Sequence, residues 1–127
     1  MNKAEIEEIC RARLKDAKVL LNSKRYDGSV YLCGYAIELG LKARICRTLQ
    51  WDEYPAKGDQ YRSFRTHNLD VLLHLSGIEH KIRLKHFVQW SIVAQWSPES
   101  RYNKIGSVGE RDANEMLDAT KELLGSL

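Results

Sequence analysis

The sequence predicts an all-α fold, an up-down four-helix bundle with an additional short helix, and three observations carry that prediction. Apolar residues recur at helical spacing through several long stretches, no segment alternates like a strand, and both prolines with Gly58, Gly77, Gly106 and Gly109 fall between the apolar stretches. With 127 residues and 43% hydrophobic content, the chain suits one compact domain spanning residues 1–127 with a modest core.

The first helix is expected over Ala4 to Ser23, with Ile6, Ile9, Cys10, Leu14, Ala17, Leu20 and Leu21 on one stripe. Arg13 falls inside that stripe, so its head group must find an acceptor, with Glu38 the obvious candidate, or snorkel to solvent. Asp27 then stands where a cap is needed for the central helix, Tyr26 to Thr48. That helix is apolar on two sides, with Leu32, Ala36, Leu39 and Ala43 on one and Val30, Cys33, Ile37, Leu41 and Ile45 on the other, which predicts burial on both. Gly34 and Gly40 inside it each cost about 1 kcal/mol relative to alanine, so a close neighbour is expected there. Tyr31, Tyr35, Glu38 and Lys42 fall on one line between the stripes, and Glu38 and Lys42 can pair along it.

From Leu49 to Arg65 periodicity is lost, and the aromatics Trp51, Tyr54, Tyr61 and Phe64 predict a loop that packs down in part. Thr66 is the expected cap of a short helix, His67 to Leu75, with Leu69, Leu72 and Leu73 facing inward and Ser76-Gly77 ending it. A long helix follows over Glu79 to Trp96, with Leu84, Phe87, Val88, Ser91 and Ala94 on one side and Trp90 beside them. The segment SPESRYNKIGSVG reads as an ordered loop or a single helical turn. Ser107 and Glu110 stand in capping-box spacing before a last helix, whose buried stripe is Ala113, Met116, Leu117, Thr120, Leu123 and Leu124.

Composition narrows function. The formal net charge of +3 permits an acidic partner without demanding one. The charged start MNKAEIEEIC is not a signal peptide, and no stretch is long and apolar enough for a membrane, so a cytoplasmic chain without membrane contact is expected. Cys10, Cys33 and Cys46 read as buried free thiols, and the four histidines lack a partner set for a metal site; no cofactor is expected. Polar residues that a bundle does not require gather in the Tyr31, Tyr35, Glu38, Lys42 line, in RSFRTH from Arg62 to His67, at the His67-Asn68 helix start, and in Arg101-Tyr102-Asn103.

In their order along the chain, RARLKDAKVLL, YDGSVYLCGYAIELGLKARI, RTHNLDVLL and WSPESRYNKIG resemble the HEPN family of small prokaryotic helical domains. That resemblance implies a helical bundle, often a homodimer with a polar cleft where the copies meet, and frequently a nucleotidyltransferase partner in toxin–antitoxin or defence systems. Some members are metal-independent ribonucleases that place a histidine a few residues after an arginine. The arginine at the matching place is Arg101, and no histidine follows it; Arg62 to His67 has the spacing but lies in the earlier loop and is read as a coincidence. The resemblance therefore implies first a nucleotide- or RNA-binding partner module, using Arg101, Tyr102, Arg62, Glu38, Lys42 and Tyr35. The alternatives are a ribonuclease with His67 as base and Arg101 on the phosphate, and a structural oligomerisation module. Pairing with a nucleotidyltransferase also makes Tyr102 a candidate acceptor of a nucleotidyl group, unless its ring packs on Trp90 or Trp96.

Overall fold

Helix α1 (Lys3–Asn22) opens with a reciprocal cap: Asn2 accepts from the Glu5 amide at 2.8 Å, and the Glu5 carboxylate accepts from the Asn2 amide at 3.0 Å. The computed structural model describes residues 1–127 and is all-α, as expected, with six α-helices and two 3-10 turns. The one strand-like feature is an isolated bridge between Asn2 and Glu53 that ties the loop after the central helix to the N-terminus. No helix is long and apolar enough to cross a membrane.

Helix α2 (Tyr26–Leu49) is the central element and packs against α1 along its length and against α6 (Glu110–Ser126). Cys33, Ala36, Ile37, Leu41, Ala43, Ile45 and Cys46 are buried along it, which is burial on both expected sides. Both helical glycines meet close neighbours. A Cβ on Gly34 would lie 2.1 Å from Trp96 ring atoms, and one on Gly40 would lie 2.5 Å from Leu124 Cδ2. The three thiols are buried and unpaired, and burial pushes Cys10 and Cys33 up to about 11.

Several local expectations give way to tertiary contacts. Asp27 does not cap α2, whose N-cap position is Arg25 and which has no side-chain cap. Its carboxylate instead accepts from the amides of Gly106 at 2.6 Å and Val108 at 3.0 Å, since those loop amides have no helix or sheet partner. Arg13 pairs with Asp16 on its own helix at 3.3 Å, because Glu38 is already held by other partners. The cap of α3 (Leu69–Leu75) is Asn68, whose side chain accepts from the Val71 amide at 3.1 Å; Thr66 accepts from the Asn68 amide instead. Helix α6 begins after Gly109 with no side-chain cap, so the Ser107–Glu110 box does not form.

The largest departure is the expected helix over Glu79 to Trp96. It is two helices, α4 (Glu79–Lys85) and α5 (Phe87–Val93), broken at His86, where φ is −131° and ψ 37°. The face turned inward is Ile82, His86, Trp90 and Val93, also at helical spacing, while Leu84, Phe87 and Val88 are 71%, 65% and 63% exposed. Two competing stripes share this segment. The one that wins carries a histidine, which looks wrong for a core until Ser126 Oγ is found 3.0 Å from its Nε2.

The loop between α2 and α3 packs down as its aromatics suggested. Trp51 meets Tyr61 and Phe64 edge-on, Tyr54 is buried against Phe64, and the Tyr54 hydroxyl donates to the Phe64 carbonyl. A 3-10 turn, Asp59–Phe64, shapes the end of this loop and delivers the chain to His67.

Candidate functional site

A carboxylate inside a helical bundle needs partners, and Glu38, 3% exposed on α2, has two. Its Oε2 accepts from Lys42 Nζ at 3.1 Å, one turn along the same helix, and its Oε1 is 2.8 Å from His67 Nδ1. A carboxylate flanked by an ammonium is an acceptor only, so Nδ1 carries the proton and donates, and a neutral His67 has its lone pair on Nε2. The His67 side chain is 61% exposed, so only the Nδ1 edge is tied down. Lys42 also stands 5.3 Å from the centre of the Tyr54 ring, and its side chain is 16% exposed.

The residues after α5 form the facing wall. Trp96 lies against Gly34 of α2, with Tyr35 edge-on at 5.1 Å and Tyr31 at 6.3 Å. A 3-10 turn, Pro98–Tyr102, then carries Arg101 to the surface. Between the walls is an open cleft of about 530 Å³ that is lined by His67, Asn68 and Asp70 on one side and Trp96, Glu99 and Arg101 on the other. Asp70 is occupied: it accepts from Trp90 Nε1 at 3.0 Å and from Arg83 at 3.2 Å. Arg101 has no carboxylate partner; its guanidinium lies 4.8 Å from the centre of the Tyr102 ring, and the hydroxyls of Tyr102 and then Tyr31 hold its pKa above the usual arginine value. The Tyr31 hydroxyl, the burial of the ring and Glu38 push the Tyr35 phenol up, with Arg101 opposing.

The HEPN domain model matches residues 6–127. The chain belongs to the HEPN domain family. No curated protein and no solved structure matches it.

Within this HEPN domain, the structure brings together some of the expected site residues and leaves others apart. His67 and Arg101 line one cleft although 33 positions lie between them in sequence, and Glu38 reaches that cleft through His67. Tyr35 and Lys42 brace the wall from behind without lining it, Tyr35 through Trp96 and Lys42 through Glu38. Arg62 stands apart: it is on the exposed 3-10 turn, 3.4 Å from Asp59, and does not line the cleft. Tyr102 packs on neither Trp90 nor Trp96; its ring is 73% exposed beneath Arg101. Gln95 and Glu99 also line the cleft and had no signal in the sequence, because the break after α5 and the following turn bring them there. No three His, Cys, Asp or Glu side chains converge anywhere in the molecule.

Proposed function

We propose that this HEPN domain is a nucleotide- or RNA-binding module whose ligand phosphate sits between His67 and Arg101. The observation that carries the reading is the unpaired, outward guanidinium of Arg101 on the cleft that His67 also lines. Arginine offers a planar fork of donors to a phosphate, and this one lies over the Tyr102 ring with no carboxylate competing for it. The expected setting is a toxin–antitoxin or defence-type pair with a nucleotidyltransferase, with Tyr102 as the exposed hydroxyl beside the phosphate site. A second copy of the domain would cover the Leu84, Phe87 and Val88 stripe, the apolar face left open on α4 and α5.

Fluorescence anisotropy with a labelled RNA oligonucleotide tests the reading. Arg101→Ala is expected to weaken binding about tenfold and to flatten its salt dependence. Equal affinity and equal salt slope in the wild type and the variant would remove Arg101 from the site. Intact mass spectrometry after co-expression with a nucleotidyltransferase tests the Tyr102 proposal, where an unmodified chain counts against it.

The Glu38–His67 hydrogen bond supports a second reading, a metal-independent ribonuclease. With Nδ1 held by Glu38, Nε2 can take the proton of a ribose 2′-hydroxyl. The freed oxygen attacks the adjacent phosphorus, Arg101 stabilises the charge that develops, and the 5′-oxygen leaves with a solvent proton. The products are a 2′,3′-cyclic phosphate and a 5′-hydroxyl. This reading requires that His67→Ala slow cleavage at least about 100-fold while RNA binding survives, and that a 2′-deoxy linkage resist cutting. Cleavage unchanged in His67→Ala would leave the binding module standing alone.

A further inference from the structure

A second cavity of about 430 Å³ adjoins the first, and Gln95 and Trp96 line both. Its lining has a different character. Val30, Ile92 and Met116 give it an apolar side, while Asp112 and Glu115 from the exposed face of α6 add two carboxylates. Trp96 is 7% exposed, yet its indole N–H has no partner in the chain, and the buried Ser100 hydroxyl on the same lining is also unpartnered. Buried polar groups are rarely left unsatisfied, and both of these belong to residues that line this one cavity.

We propose that this cavity receives the base of the nucleotide whose phosphate meets Arg101, and that it selects bases carrying an exocyclic amine. The inference rests on the phosphate-site reading above and adds the substrate class. Three features support it. The apolar side suits a flat heteroaromatic ring, and the volume lies in the range of small-molecule pockets. Carboxylates only accept hydrogen bonds when ionised, so Asp112, which has no side-chain partner, and Glu115, which also accepts from Arg111 at 3.3 Å, favour an amino group and repel a carbonyl oxygen at the same place. Gln95 and Trp96 line both cavities, so the two meet at these residues, and the proposed ligand has its phosphate on the Arg101 side and its base on the α6 side.

Calorimetric titration of the full chain with AMP, IMP and ribose 5-phosphate tests this, since AMP and IMP differ by an amine against a carbonyl. AMP is expected to bind at least about tenfold tighter than IMP, because an unmatched polar group at a base edge is costly. Asp112→Asn, whose amide can also donate, should shrink that preference to about threefold or less with little loss of ribose 5-phosphate binding. Arg101→Ala should weaken all three ligands while preserving the AMP to IMP ratio. Equal affinity for AMP and ribose 5-phosphate would overturn the base site and leave the phosphate site intact. An AMP preference that survives both Asp112→Asn and Glu115→Gln would overturn the assignment of these carboxylates. A preference for amine-bearing bases with no dependence on Arg101 would keep the base site and remove the phosphate reading.

Discussion

The two walls of the cleft are built to opposite rules. On the α2 and α3 side the polar groups are committed except for the open Nε2 edge of His67: Glu38 holds both Lys42 and His67, Asn68 caps α3, and Asp70 takes Trp90 and Arg83. On the side after α5, Arg101, Tyr102 and Ile105 are exposed, and the segment is tethered at a few points, Trp96 on Gly34 and Asp27 on the Gly106 and Val108 amides. A histidine used for proton transfer benefits from a fixed tautomer, and a guanidinium that must meet an anion benefits from having no carboxylate of its own. The contrast teaches that this domain puts its stability on one side of the cleft and its unmet charge on the other.

Substitution can break that contrast, most strongly on the committed wall. Glu38→Ala strips Lys42 of its anion and His67 of its acceptor, and a buried charge left without its partner is expected to cost about 3 kcal/mol in denaturant unfolding. A loss well under 1 kcal/mol would mean that Lys42 swings freely to solvent. Gly34→Ala comes next. Its added Cβ must displace the Trp96 indole, which is expected to cost about 2 kcal/mol and to shift tryptophan fluorescence toward a more exposed environment. Unchanged stability and emission would show that the α2–Trp96 contact is loose.

On the tethered wall, Asp27→Ala removes the acceptor of two loop amides. About 1 kcal/mol of stability and clear loss of hydrogen-exchange protection at Gly106 and Val108 are expected, with α2 itself unaffected. Protection lost along α2 instead would mean that Asp27 caps the helix after all. The smallest effect belongs to Arg101→Ala, which should leave the unfolding midpoint where it is while RNA binding falls. A shifted midpoint would make the guanidinium a structural group. The buried thiols offer an independent check: with Cys10 and Cys33 pushed up to about 11, the native chain should react with a disulfide reagent at pH 8 far more slowly than the unfolded chain.

The site was half legible in the sequence. Glu38, Lys42 and Tyr35 stood out because helical spacing puts them on one line, and such local geometry survives in the fold. That Glu38 would take His67 rather than Arg13 was not legible, since the choice depends on how α3 and α1 approach α2. The helix over Glu79 to Trp96 failed for a related reason. Two stripes with similar spacing competed, and hydrophobicity favoured Leu84, Phe87 and Val88, but His86 could enter the interior once Ser126 was there to meet it.

By itself, the sequence determined that the chain is all-α, that α2 is its centre, that two glycines mark close contacts, and that its thiols are buried. Each of these follows from residues near one another along the chain, where spacing fixes geometry. Only the tertiary structure decided that His67 and Arg101 share a cleft, that Asp27 serves a loop rather than a helix end, and that an apolar stripe stays open on α4 and α5. Those facts depend on which distant groups meet, and a buried polar group accepts whichever partner the packing of whole helices brings within reach.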